Sequence, residues 1–296
     1  MTHLHVAEPQ TRDPRTAQVR PAASLVIRTK NEEALLAQTL SRVFSQTLDN
    51  IEVILVDSGS TDRTLAIARE FPVKIIEIRP QDFTYGRALN VGYAQAQSNL
   101  LVSLSAHAIP LTRDWLMLLL DHFEDPRVAG VWGEETTSVD RQIQTKIYRQ
   151  DLSMFLADVY VGFSNANGAV RRAIWEAHPF REDLLSTEDK EWAYWALCAG
   201  YLIVKDTRAL VLHNHRESIL QIWRRSHRIT EGFARFLQMP QFSALDLLRH
   251  VYWGASAEWR VSAGDHGRFG RVARRLPKIM AGETGCYTGL RAGRPR

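Results

Sequence analysis

From residue 24 the chain alternates between two spacings of apolar residues. SLVIRT (24–29), IEVILVD (51–57), VKIIEIR (73–79) and LLVSL (100–104) are apolar, largely β-branched runs of strand length, the composition of strands buried on both faces. Between them the spacing turns helical. NEEALLAQTLSRVFSQ brings Leu35, Leu36, Thr39, Leu40, Val43 and Phe44 to one side. DRTLAIAREF reads as a helix capped by Ser60 or Thr61, and RALNVGYAQAQ as a short one. This order predicts an α/β fold, a parallel sheet covered by helices on both faces. Ligands of such sheets sit at the carboxyl ends of the strands, where Thr29, Asp57 and the stretch Ser105, Ala106, His107 fall.

After about residue 128 the pattern loosens. AGVWGEE predicts a strand, QTKIYRQDLSMFLADV a helical stretch, and a helix from Glu188 to Ala199 stops at Gly200. YLIVKD and ALVLHNH predict two further strands, and from Ser218 onward only helices are expected. The organisation is thus a flexible arm over 1–22, marked by Pro9, Pro14 and Pro21, an α/β domain over 23–217, and a helical basic extension over 218–296.

Charge sharpens this picture. The formal net charge of +4 conceals a basic end, with nine Arg and Lys from Arg260 onward against Asp265 and Glu283. That end could meet anionic lipid, nucleic acid or only solvent. Neither a cleavable leader nor an apolar stretch long enough to span a membrane is found, so a cytoplasmic protein is expected. Two cysteines, Cys198 and Cys286, imply neither a disulfide framework nor a zinc site.

The first strand-to-helix turn, RTKNEEA, contains no glycine, which argues against both the dinucleotide fingerprint and the P-loop. Taken together, SLVIRTKNEEALL, VILVDSGSTDRT, GRALNVGYAQA, LVSLSAHAIP and LLSTEDKEWAYWALCAGY resemble, in order and spacing, the inverting family 2 glycosyltransferases, whose catalytic domain has the GT-A fold. The resemblance runs over about 23–215. It implies a sugar moved from a nucleotide-diphosphate sugar to an acceptor hydroxyl, in envelope polysaccharide or glycolipid assembly. The donor nucleotide and a glycan or lipid-linked acceptor are the implied partners; nucleic acid is not.

Asp57 can accept from the N3–H of a uracil or thymine, the contact the family makes with this motif, or it can close its own turn. Asp62 is a first-turn or capping acid. Thr29 and Glu32 are first-loop nucleotide contacts by the same resemblance, or helix caps. In TED the family pattern places the base at Asp189, with Glu188 as an acceptor or orienting contact. Ser186 and Asp189 also form a capping-box-like pair. Asn165 and Asn167 suit donor-sugar hydroxyls, although turn formation explains them equally.

Two departures follow. The family's D-x-D, which holds ribose and a divalent cation, is replaced by Ser105 and His107. Mn²⁺ or Mg²⁺ is therefore expected with altered dependence, His107 and His213 being its ligands. Alternatively His107 donates to the diphosphate without metal, or the chain is a silent sugar-nucleotide-binding relative. Leu89 stands where an Arg is expected, leaving Arg87 to reach the phosphate, with Asn90 keeping its match. HNH at 213–215 is too short a motif to indicate a nuclease. A nucleotidyltransferase would need a Gly-rich first loop, absent here.

Overall fold

The apolar runs meet at the centre of one sheet. In the computed structural model, which describes residues 20–140, 144–158, 162–214, 217–238, 243–261 and 268–292, with side chains at 258 and 260–274 left aside, β1 (Ala23–Thr29), α1 (Leu36–Phe44), β2 (Ile51–Asp57), α2 (Thr64–Ala68), β3 (Lys74–Glu77), α3 (Tyr85–Ala94) and β4 (Leu100–Ser105) follow in strand and helix alternation. β1 pairs in parallel with β2 on one side and β4 on the other, and β2 with β3. Leu25, Val26 and Ile27 are covered from above and below and lose all exposure, which is why their run shows no polar alternation. Leu36, Leu40 and Val43 of α1 join Leu25 and Ile27 in one core layer. Ala88, Leu89 and Tyr93 of α3 close the other face over Val26, Ile54 and Val56.

The second half departs from the parallel expectation. β5 (Ala108–Pro110), α4 (Trp115–Leu120), β6 (Val128–Thr136), β7 (Ile147–Gln150), α5 (Leu152–Ala157), β8 (Asn167–Arg171), α6 (Arg172–Ala177), α7 (Glu188–Cys198) and β9 (Leu202–His213) complete the sheet region. Strand order is β3-β2-β1-β4-β8-β6-β9-β5, with β7 also on β9. β8 runs antiparallel to both β4 and β6, and β5 and β7 antiparallel to β9; only β6 and β9 return to parallel pairing. The sheet is therefore mixed.

Three local expectations are corrected. The helix predicted over QTKIYRQDLSMFLADV is β7 followed by α5, because the segment finds the free edge of β9 and Asp151 then caps α5 by accepting from the Met154 N–H (3.0 Å). YLIVKD and ALVLHNH form one strand, β9, whose register against β6 shifts between Gly133 and Glu134. Asp206 accepts the Arg208 N–H there (3.0 Å), so the chain bends without breaking. At α2 the N-cap position is Arg63, and Asp62 before it closes the turn by accepting from the Thr64 N–H (2.9 Å). Ser60 and Thr61 bond instead to Asp57 and Asn31.

The extension comprises α8 (Ile219–Phe236), α9 (Ala244–Val261) and α10 (Arg268–Ala292). α8 starts with a capping box of Ser218 and Gln221. α10 lies on α8 so closely that a Cβ at Gly289 would stand 2.2 Å from the His227 carbonyl oxygen. No described helix is long and apolar enough to cross a membrane. Residues 1–19 of the expected arm lie outside the described residues.

Candidate active site

The carboxyl ends of β1, β2 and β4 open into a cleft lined by Arg28, Thr29, Lys30, Glu32, Ser58, Phe83, Tyr85, Ser105 and His107. Its shape is set by cross-linking of the first two loops. Asn31, in the left-handed region at φ 55°, accepts the Thr61 N–H at Oδ1 (2.8 Å) and donates its own N–H to Ser60 Oγ (2.9 Å). Asparagine tolerates that backbone where a branched residue would not. Glu32 and Glu33 are then fixed by N–H bonds to Thr64 Oγ1 and Asp62. Thr29, Glu32, Ser105 and His107 were singled out from sequence, and they converge here.

Beside the cleft stands the carboxyl pair at the start of α7. Its N-cap, Thr187, has φ 69° and makes no side-chain cap bond, so the capping box suggested by Ser186 and Asp189 does not form. A threonine in this region is strained by about 1–2 kcal/mol. Asp189, half-buried, accepts the Lys190 N–H at Oδ1 (2.8 Å) and the Asn165 N–H at Oδ2 (3.3 Å). Glu188 is buried, with Oε1 3.3 Å from Asn165 Nδ2 and 3.5 Å from Arg28 Nη1. Burial and the neighbouring Asp189 push its carboxyl up to about 7, against the pull of Arg28 and Asn165. Asn165 thus holds both acids, through its backbone and its amide.

Opposite lie two imidazoles. His107 Nδ1–H donates to Glu32 (2.7 Å), and His213 Nδ1–H to Glu135 (2.5 Å). Burial resists ionisation of Glu135, but His213, Ser164 and Lys190 overcome it and its carboxyl stays below the ordinary value. The two rings are near parallel, with centroids 4.8 Å apart and 25° between planes. Among the described residues, no three His, Cys, Asp or Glu side chains come together as a cage for a metal ion. The carboxylates nearest the imidazoles are already accepting from them. Mg²⁺ requires oxygen ligands, and Ser105 and His107 offer one hydroxyl and one ring where two carboxylates would stand. The residues present do not fit the cation that the D-x-D family pattern implies.

Other predicted contacts have different duties. Asp57 is fully buried and closes its own turn, Oδ2 accepting the N–H groups of Gly59 and Ser60 (2.9 and 2.8 Å) and Oδ1 the Ser60 hydroxyl; its neighbour Ser58 lines the cleft. Asn167 is a core amide on β8, accepting from Trp115 Nε1 (2.8 Å) and donating to the carbonyls of Glu134 and Ala209. Both ends of its amide are engaged within the core. Asn90 ties α3 to the segment before α7 through Trp175, Phe180 and Glu182. Arg87 is an exposed partner of Glu182 (3.1 Å). His215, the last letter of HNH, lies outside the described residues. Arg28, Lys30, Phe83 and Tyr85 were not singled out, although an arginine inside an otherwise apolar buried run is itself a signal.

The Glycosyl transferase family 2 profile matches residues 24–202. The chain is 27% identical over 251 residues to the O-antigen chain rhamnosyltransferase RfbN of Salmonella typhimurium, covering 79% of this chain and 77% of that one. It is 30% identical over 220 residues to the O-antigen chain rhamnosyltransferase WbaN of Salmonella anatum, covering 69% and 70%. In fold it is similar to the mannosyltransferase PcManGT from Pyrobaculum calidifontis, solved with GDP-Man and Mn²⁺, at a TM-score of 0.64 and 18% identity over 93% of this chain and 88% of that one. The sheet, the cleft at its carboxyl edge and the profile over more than half the chain lead to one conclusion: the protein is a glycosyltransferase of family 2.

Proposed function

We propose that the protein transfers a hexosyl or deoxyhexosyl group, with inversion, from a nucleotide-diphosphate sugar to an acceptor hydroxyl during envelope polysaccharide or glycolipid assembly. The observation that carries this is the pair Glu188 and Asp189 at the start of α7, held by Asn165 and joined through Arg28 to the cleft. A half-buried carboxylate at a helix N-terminus beside the cleft suits a general base. As the acceptor oxygen attacks the anomeric carbon its proton passes to Asp189, and the bond to the diphosphate breaks on the opposite face. Glu188, which holds its proton up to near neutrality, orients the acceptor by donating a hydrogen bond.

The rhamnosyltransferase relatives support a deoxyhexose donor. His107 and His213 are too few ligands for the Mn²⁺ or Mg²⁺ expected from the family pattern. A glycan or lipid-linked acceptor would be met at the membrane surface, with α9 and the basic C-terminal end resting on anionic lipid of the inner face.

The test is transfer from a panel of UDP-, dTDP- and GDP-sugars by wild type and Asp189→Asn. Asp189→Asn should lose transfer by about two to four orders of magnitude while binding nucleotide as wild type does. Substantial residual turnover would remove Asp189 from the role of base.

A further inference from the structure

A nucleotide sugar brings about two negative charges on its diphosphate into the cleft. Among the charged side chains that line it, Arg28 and Lys30 outnumber Glu32. Arg28 sits in β1 after Leu25, Val26 and Ile27, all without exposure, a place where a charged residue is rare unless it serves a partner. Its guanidinium lies over Tyr85, 5.0 Å from the ring centroid. Nη1 reaches Glu188 only at 3.5 Å and makes no hydrogen bond among the described residues. The next residue repeats the pattern, for Thr29 is 4% exposed and its buried Oγ1 also lacks a partner. Lys30 follows, exposed at the rim. Glu32 is the one acid among the lining residues, and it is committed to His107.

Buried donors left without partners are costly, and a planar guanidinium matches phosphate oxygens in pairs. On the neighbouring strand Ser105 pairs with Arg28, and Ser105 and His107 stand where the family pattern would put two carboxylates. We propose that Arg28, Thr29 and Lys30 hold the donor diphosphate directly, beside Ser105 and His107, and that donor binding consequently needs no divalent cation. This rests on the glycosyltransferase function proposed above. The cation-binding acids and the basic first loop are alternative answers to the same charge, and this chain has the second.

The experiment is calorimetric titration of the full-length protein with UDP, dTDP and GDP and their monophosphates, in EDTA and again with Mn²⁺ or Mg²⁺. The preferred diphosphate should bind in EDTA with a Kd within about threefold of its value with metal. Arg28→Met should weaken the diphosphate roughly 10- to 100-fold and the monophosphate much less, a difference that a merely structural role would not produce. Lys30→Met, on an exposed side chain without risk to folding, should weaken it severalfold and reduce the salt dependence of binding. Binding that requires Mn²⁺ or Mg²⁺, or an unchanged diphosphate Kd in both variants, overturns the proposal and leaves the glycosyltransferase function standing. Absence of nucleotide binding under both conditions overturns the two together.

Discussion

Glu188 keeps a carboxyl out of water beside a second one, and the consequence can be measured without substrate. Its carboxyl titrates near 4.5 when exposed and at about 7 in the fold. The folded state therefore holds the proton more tightly than the unfolded one, and the group's contribution to stability, full below about 4.5, is lost as pH rises towards 7. Glu188→Gln removes this dependence. Urea denaturation should find the variant gaining on wild type between pH 5 and pH 8 by up to about 3 kcal/mol, less what Arg28 loses with its ionic partner; an unchanged difference would mean that Glu188 is ionised throughout. The same scale shows why some residue roles were not legible. Asn167 has the chemistry of a sugar contact, but sequence cannot say that Trp115 and two carbonyls already use its amide. Asn167→Ala should cost about 2–4 kcal/mol of stability in a urea titration, with the Kd for nucleotide unchanged.

At the scale of elements, the strained TED turn is held from behind by α8. A Cβ at Gly232 would stand 2.1 Å from Thr187 Oγ1 and 2.8 Å from the Ser186 carbonyl oxygen, so the extension packs directly on the segment that delivers Glu188 and Asp189. Gly232→Ala must push that turn or α8 away. It should lower stability by about 1–3 kcal/mol in thermal or urea unfolding and reduce transfer well beyond that loss at temperatures where the variant is fully folded. Wild-type turnover would show the turn to be independent of α8. The parallel half of the fold was legible because runs such as LVI in β1 are covered on both faces, and burial alone dictates their composition. Asp57 and Ser105 were placed at the correct edge for the same reason. β7 was not legible: IYRQ becomes a strand only because β9 offers it an edge, a long-range fact with no local trace. The bend inside β9 likewise depends on its register with β6.

At the scale of the whole molecule, the C-terminal helices leave apolar surface where a soluble chain would hide it. Leu248 and Tyr252 of α9 are 66% and 70% exposed, and Leu245 and Trp253 stand beside them with more than half their surface free. The spacing 245, 248, 252 places one apolar stripe along the helix. Gly254 lets α9 approach Ile279 of α10, and Arg275 and Lys278 of α10 are exposed. Of the basic end foreseen from sequence, the side chains of Arg260, Arg268, Arg271 and Arg274 and residues Arg294 and Arg296 lie outside the described residues. An exposed stripe with Trp and Tyr on a chain with a basic C-terminal end suits the interface of an anionic bilayer rather than its interior. The protein should therefore co-sediment with vesicles containing an anionic lipid, less with neutral ones, and less as salt is raised. Replacing one exposed leucine by a charge forfeits about 1.5–3 kcal/mol of apolar burial, so Leu248→Glu should weaken vesicle binding about tenfold or more. Because two thirds of the Leu248 side chain is exposed, circular dichroism and nucleotide affinity should not change. Equal binding to neutral and anionic vesicles would leave the basic residues without a role. Indifference to Leu248→Glu would mean that α9 meets something other than lipid, a second protein surface being the occupant that an apolar stripe of this size fits next best.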